Sequence, residues 1–420
     1  MEFREVPFSD LLSEVIDNRG KTCPTADTGI PLIATNCIRN ELLYPTYDKV
    51  RFVSQDTYAN WFRGHPRPGD ILFVNKATPG RICLVPDPVD FCIAQDMVAV
   101  RADKKKIYPK FLFAVLRSPS IQAKIEQMQV GTLIPHFKKG DFDKLLLPVP
   151  TRGVQEFIGD IYFNLSAKID LNRRTNETLE AMARAVFKSW FVDFDPVHAK
   201  SKGRQPDGMD AETASLFPSL FEESEIGRVP KGWKVQPLDA IANFLNGLAC
   251  QKYPPTGDDS LPVIKIADLR NGVSDTTDRA SPAVGADYIV KNGDVLFSWS
   301  GSLLVKIWTG GKGVLNQHLF KVTSDNFPRW FYYFWVREHL LEFQSIAQDK
   351  ATTMGHIKRQ HLTAARVVVP DPAVLKEADA IIAPLVERCV QCDEESAMLS
   401  EARDVLLPRL LSGEITVEKA

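Results

Sequence analysis

Residues 131–150 and 351–370 repeat one another without a gap, and no other feature of the sequence constrains the fold as strongly. Thr132 and Thr352, His136 and His356, Lys138 and Lys358, Val149 and Val369, and Pro150 and Pro370 coincide, while Lys139 faces Arg359. Three further matches keep the same order. Ile30-Pro-Leu-Ile33 answers Leu261-Pro-Val-Ile264, Gly69-Asp-Ile-Leu-Phe73 answers Gly293-Asp-Val-Leu-Phe297, and Ala183-Arg-Ala-Val186 answers Ala402-Arg-Asp-Val405. Self-similarity at a fixed offset means that whatever supersecondary unit one half builds, the other half builds too.

Each half closes on a long helical pattern. Between Thr151 and Pro196, apolar residues recur at Ile158, Ile161, Leu165, Leu179, Met182 and Val186, with Lys168, Asn172 and Thr175 filling the middle of the same heptad frame. From Gln155 to Trp190 only Gly159 interrupts the run, which at about 1.5 Å per residue would span roughly 50 Å. The second pattern steps by seven through Ile382, Cys389, Ser396, Arg403 and Leu410, with Leu385, Cys392, Leu399 and Leu406 between them. Amphipathic helices of this length also lie on globular cores, but their placement after each repeat makes them partners. If the repeats are related by a pseudo-two-fold axis, the pair runs antiparallel and helix length sets the spacing of what the repeats hold.

Within each half the periodicity is short. Asp70–Val74, Arg81–Val85 and Ile264–Ile266 read as strands bounded by turn residues, and 108–117 and 330–342 as buried helices. The expected class is α+β: two pseudo-repeated globular domains with mixed sheets, joined by two long helices forming an antiparallel coiled coil. The expected boundaries are 1–150, a central helix at 151–195, a linker at 196–232, a second domain at 233–370 and a C-terminal helix at 371–420. The linker reads as an extended connector pinned by Leu216-Phe217 and Leu220-Phe221. Trp330-Phe-Tyr-Tyr-Phe-Trp335 has the apolar density of core rather than of a base-stacking platform.

Composition narrows the function. A 420-residue chain with 25% charged residues and a net charge of −2 is neither disordered nor a wholesale polyanion binder, so any nucleic-acid surface is local. The first residues lack a signal-peptide pattern and no apolar run reaches membrane-spanning length, which places the expected protein in the cytoplasm with no membrane partner. Seven scattered cysteines fit a reducing compartment. The one C-x-x-C, Cys389 and Cys392, falls on the helical seam and reads as packing.

The chain lacks a phosphate-binding G-x-x-x-x-G-K-[ST], a G-x-S-x-G elbow, an H-E-x-x-H and a Rossmann G-x-G-x-x-G. The nearest approach to an adenine-methyltransferase Asn-Pro-Pro-aromatic tetrad is Tyr253-Pro-Pro-Thr256, which begins with the wrong residue. No catalytic residue and no metal or cofactor site is expected. What remains is binding. Thr132, His136, Lys138 and Lys139, and their counterparts Thr352, His356, Lys358 and Arg359, put cations and hydrogen-bonding groups at the same place in both halves, as a reader of phosphates and bases requires. A lysine pair is equally the mark of a solvated face, and Lys104–Lys106 reads as a loop. Arg63, Lys76 and Arg81 in the first half, and Trp299, Ser300 and Lys306 in the second, lie near strand ends from which loops reach a groove.

The centre and the end of the chain carry a specific likeness. Phe187-Lys-Ser-Trp-Phe-Val-Asp-Phe-Asp-Pro-Val197, Gly208-Met-Asp-Ala211, Leu216-Phe-Pro218, the Ile226–Trp233 stretch and Leu406-Leu-Pro-Arg-Leu-Leu-Ser-Gly-Glu-Ile415 resemble the specificity subunit of type I restriction-modification systems. The resemblance covers the whole chain. It implies two target-recognition domains that each read half of a split double-stranded DNA site, and helices that pair antiparallel. It also implies partners: two methylation subunits that use S-adenosylmethionine and a restriction subunit that uses ATP with Mg. The exposed charges Arg173, Arg174, Glu177 and Glu180 would then belong to a docking face, solubility being the other reading of them. The rival is a self-contained DNA modification or restriction enzyme with diverged motifs.

Overall fold

The repeated Gly-Asp motif explains how each half is built. In the first half the strands are β1 (Arg4–Pro7), β2 (Leu12–Asp17), β3 (Ile30–Ile33), β4 (Arg51–Val53), β5 (Ile71–Val74), β6 (Ile82–Leu84), β7 (Cys92–Ile93), β8 (Met97–Ala102) and β9 (Leu146–Val149). Gly69 sits at φ +83°, where a side chain would be strained, and lets the chain turn into β5. The carboxylate of Asp70 then accepts the backbone N–H of Arg67 (2.7 Å) and locks the turn. All four residues of β5 are buried. Ile71 and Phe73 enter one apolar cluster and Leu72 and Val74 enter another, so the strand is apolar throughout because both of its faces are covered.

These observations come from a computed structural model that describes residues 3–18, 21–131, 133–255, 259–349 and 355–415. It divides into two units, residues 1–171 with 396–420, and residues 172–395. In the first unit, β2-β8-β5-β6 form an antiparallel sheet, β4-β3-β7 a mixed one with β3 and β7 parallel, and β1 pairs with β9.

The second unit repeats this plan. After a hairpin of β10 (Phe221–Ser224) and β11 (Gly227–Pro230) come β12 (Lys234–Pro237), β13 (Asn243–Asn246), β14 (Leu261–Ile264), β15 (Arg279–Ala280), β16 (Ile289–Val290), β17 (Val295–Ser298), β18 (Val305–Ile307), β19 (Gly313–Leu315), β20 (Leu319–Thr323) and β21 (Arg366–Val369). The antiparallel sheet is β13-β20-β17-β18, the mixed sheet is β15-β14-β19-β16 with β14 and β19 parallel, and β12 pairs with β21. Gly293 has φ +88°, and Asp294 accepts from the backbone N–H of Lys291 (2.9 Å), as its counterpart does in the first half. The expected α+β class with mixed sheets therefore holds. One strand ends earlier than its sequence suggests: β14 stops at Ile264, and Ile266–Asn271 is helical, because Asp268 accepts the N–H of Lys265 and starts a turn.

The buried helices are Pro109–Arg117 and Arg329–Glu338. The expected buried stretch to 342 ends sooner, because Leu340–Asp349 is a separate helix that buries only Phe343 and Ala347 among its described side chains and leaves Leu341 78% exposed. Trp330 to Val336 are all buried in the second unit's largest apolar cluster, so the aromatic run is core, as its density implied. The linker departs from expectation. Asp195–Ser201 and Ala211–Ser215 are helical and β10-β11 is a hairpin, so the segment is folded rather than extended. Phe217 packs against Trp190 and Trp233, and the Lys200 ammonium donates to the Ala214 carbonyl (2.7 Å), which gives the segment an apolar anchor and a polar one.

The two long helices are Arg152–Phe191 and Pro372–Leu411. In the first unit the beginning of the central helix meets the end of the C-terminal helix: the Arg403 guanidinium lies 5.5 Å from the Tyr162 ring, and Leu407 and Leu410 join the same apolar cluster as Ile158. In the second unit the end of the central helix meets the beginning of the other. The Asn172 amide donates to the Cys392 carbonyl and to Glu395, and the Asn176 amide donates to the Cys389 carbonyl and to Asp393. The pair is antiparallel with a polar middle. Each unit thus takes half of each helix, where the sequence had set the helices apart as segments of their own. The heptad frame of the central helix needs correction: Met182 is 51% exposed while Ala183 is buried. Buried positions advance by fours through Ile158, Tyr162, Ser166 and Asp170, and again through Ala183, Phe187 and Phe191, because the helix also packs on each unit's core.

Gly159 allows that approach. A Cβ there would lie 2.6 Å from the backbone nitrogen of Phe111. Cys389 and Cys392 lie on the helix seam without a disulfide between them, and burial raises the Cys389 thiol to about 11.

Burial likewise raises the carboxyl of Asp393 above its ordinary range. A carboxyl whose folded pKa is raised favours the folded state most below its unfolded pKa and loses that contribution as pH rises through the folded value. Asp393→Asn keeps an oxygen to accept from Asn176 and removes the charge. Thermal unfolding of the variant is expected to show a gain on the order of a degree or two at pH 7.5 and none at pH 3.5, with the wild-type midpoint falling relative to it between those values. A gain of equal size at both pH values would assign the effect to packing.

Candidate nucleic-acid interface

Two segments far apart in sequence meet in each unit. In the first, the loop after β5 pairs with the stretch before β9: Lys76 and His136 form a β-bridge, the Ala77 N–H donates to the Pro135 carbonyl (3.0 Å), and the Phe137 N–H donates to Asn75 (2.9 Å). In the second, Ser300 and His356 form the corresponding bridge, the Gly301 N–H donates to Gly355 (2.9 Å), and the Ile357 N–H donates to Trp299 (3.0 Å). The candidate residues of Lys76 and His136, and of Ser300 and His356, are therefore neighbours, two by two. Lys138 and Lys358 each stand immediately before a helical turn, Lys139–Asp141 and Arg359–Ala364, and both are exposed.

The remaining candidates divide. Lys139 donates to Asp17 (2.6 Å), which also faces Arg63 at 3.5 Å, so one carboxylate holds two of the cations the sequence nominated. Arg81 is exposed and Lys76 half-buried, and neither side chain has an ion-pair partner among the described residues. Arg359 is committed to the fold: it donates to the Phe244 carbonyl (3.1 Å) and lies over the Phe320 ring. Lys306, on β18, faces Asp393 of the C-terminal helix and stands outside the loop cluster. Ser300 is buried, with its hydroxyl 3.0 Å from His318 Nδ1, and the Trp299 indole N–H donates to Asn246 (2.8 Å). Thr132 and Thr352 lie outside the described residues. Of the charges assigned to a docking face, Arg173 pairs with Glu177 along the helix, and Glu180 pairs with Arg337 inside the second unit.

A third segment completes each cluster and was missed. The turn between β7 and β8 holds Gln95, and Asp96 beside it accepts the N–H groups of Asn75 (2.9 Å) and Lys76 (3.3 Å). The turn between β19 and β20 holds Gln317, and His318 beside it accepts the N–H of Trp299 (3.4 Å). The signal was present in the repeat, since Ala94-Gln-Asp-Met97 and Asn316-Gln-His-Leu319 stand at nearly the same offset as the other matches. One identity in four residues, Gln95 with Gln317, is too little to stand out. Each unit thus presents three loops fixed by backbone hydrogen bonds, with cations and amides at their edges and side chains that differ between the halves.

A duplicated α+β chain with such loops and a polar helix pair defines a class of tandem recognition proteins, and comparison with known proteins makes the class specific. Residues 16–181 match the family model described as the type I restriction modification DNA specificity domain. The HindI specificity subunit of Haemophilus influenzae is 26% identical, over 83% of this chain and 87% of that protein. The MjaIX specificity subunit of Methanocaldococcus jannaschii is 22% identical, over 84% and 78%. A type I restriction-modification S subunit from M. genitalium has the same fold, with a TM-score of 0.53 at 15% identity over 98% of this chain and 96% of that one. The chain thus carries a match to the type I restriction modification DNA specificity domain in its first half and is similar to specificity subunits over more than four fifths of its length.

Proposed function

We propose that each unit reads one half of a split, asymmetric DNA site through its three-loop cluster, and that the chain presents the bound DNA to partner subunits that carry out the chemistry. The observation that carries this reading is the pairing of Lys76 with His136 and of Ser300 with His356. The same backbone frame occurs twice and holds different side chains, as two readers of different half-sites require. The partners are methylation subunits, two per complex, with S-adenosylmethionine as their cofactor, and a restriction subunit using ATP and Mg; the chain itself contributes no catalytic residue. No helix among the described residues is long and apolar enough to cross a membrane, and the cytoplasm is the compartment of the proposal.

Phosphate contacts are the first test. Replacement of Lys138 or Lys358 by alanine is expected to weaken binding about equally on all sequences and to reduce the slope of log affinity against log salt by roughly one unit. Unchanged slopes would return both lysines to the solvated surface. Methyl transfer to DNA by the purified chain with labelled S-adenosylmethionine and no partner would overturn the division of labour and favour a self-contained modification enzyme.

A further inference from the structure

The first unit exposes apolar side chains where its candidate cations gather. Leu133 is 95% exposed and Ile134 54%, and Val130 at the base of the same loop is exposed too. Their setting excludes a frayed loop end. Val130 and His136 pair across the loop, His136 also bridges Lys76, and the Ala77 N–H holds the Pro135 carbonyl, so the apolar pair projects from a backbone closed on both sides. Adjacent large apolar residues at such exposure mark a contact surface. Lys76, bridged to His136 through the backbone, and exposed Lys138, two residues further on, form no salt bridge among the described residues and suit a polyanion rather than an apolar protein face.

We propose that Leu133 and Ile134 form a hydrophobic finger that packs against thymine methyl groups in the major groove of the half-site read by the first unit. The C5 methyl is the apolar group that a duplex offers there, and aliphatic side chains recognise it by contact alone. The two halves differ in sequence here, Thr353 and Met354 standing at the positions that match Leu133 and Ile134. The inference rests on the reading of each unit as a half-site reader and assigns two residues a part in it.

The test uses the full chain assembled with its methylation subunit. Selection from a random duplex pool defines the two half-sites, and uracil is then placed for each thymine of the first one. The wild type is expected to lose roughly tenfold in affinity on at least one such replacement, about the effect of one mismatched pair. L133S/I134S, altered at exposed positions that the fold does not need, is expected to bind thymine and uracil duplexes alike while its second half-site stays unchanged. Equal thymine preference in variant and wild type would overturn the finger and leave the half-site reading intact, as would a first half-site containing no A·T pair. Failure of the wild type to select any bipartite site would remove the reading itself.

Discussion

Exchange of residues 1–150 for the corresponding stretch of one of the specificity subunits the chain resembles is expected to replace one half of the methylated sequence and leave the other half unchanged. The exchange carries β1 and β9 together, so the pairing of Val6 with Leu147 at its centre travels intact, and all three loops of the first cluster move with it. The new segment must still seat on the recipient's central helix. There the Tyr108 N–H donates to Gln155 (2.8 Å), its hydroxyl donates to Asp160 (2.8 Å), and the Lys110 ammonium lies 2.7 Å from the same carboxylate. Asp160 is held below the ordinary carboxylate range chiefly by Lys110. A donor segment that keeps Tyr108 and Lys110, and a flat approach at Gly159, should fold on the recipient helix. Mapping of methylated positions in DNA exposed to the hybrid complex reads the outcome. A change in both halves of the site would contradict separate reading.

Arg101→Met is expected to destabilise the first unit by about 3 kcal/mol, the scale on which a buried ion pair fails when one partner is removed. Asp70 is 3% exposed and receives two hydrogen bonds from the Arg101 guanidinium, at 2.9 and 2.8 Å. Without them a carboxylate remains buried with only the Arg67 N–H to satisfy it. The duplicated site provides the control. Lys321 approaches Asp294 at 3.1 Å with a single ammonium, and Asp294 is less deeply buried, so Lys321→Met should cost distinctly less. Chemical denaturation measures both, and Arg101→Met combined with Asp70→Asn should recover part of the loss, because it removes the stranded charge. An equal cost at the two sites would mean that burial of the carboxylate does not set the penalty.

The Gly-Asp turn was legible because it repeats as an unbroken string and its glycine, carboxylate and apolar strand lie side by side. The seam of the central helix was legible only in outline. A heptad frame assumes that the helix faces one partner, whereas Phe187, Trp190 and Phe191 are buried in the second unit's aromatic core. Met182 was misplaced for that reason. The linker was misread because its helices and hairpin are stabilised by Trp190 and Trp233, which lie outside it in sequence. Among the candidate residues, local sequence nominated Lys138, Lys358 and Arg359 alike and could not see that the Arg359 guanidinium bonds a carbonyl more than a hundred positions away. Gln95 and Gln317 were passed over because only the sheet order brings their loops beside the other two.

The packing of Leu407 and Leu410 beside Ile158 has a consequence for the order in which the chain matures. During synthesis, residues 1–171 emerge first, but the last of their apolar neighbours leave the ribosome only after all of 172–395 has been made. Contacts that distant in sequence form late, since the intervening chain must be closed into a loop before they stabilise anything. The second unit is contiguous in sequence and has no such wait. A nascent chain cut short before Leu407 therefore carries a complete second unit and a first unit with part of its apolar surface bare, the kind of surface that chaperones and proteases recognise. A released chain that stops at residue 395 should yield a protease-resistant second unit and a sensitive first one.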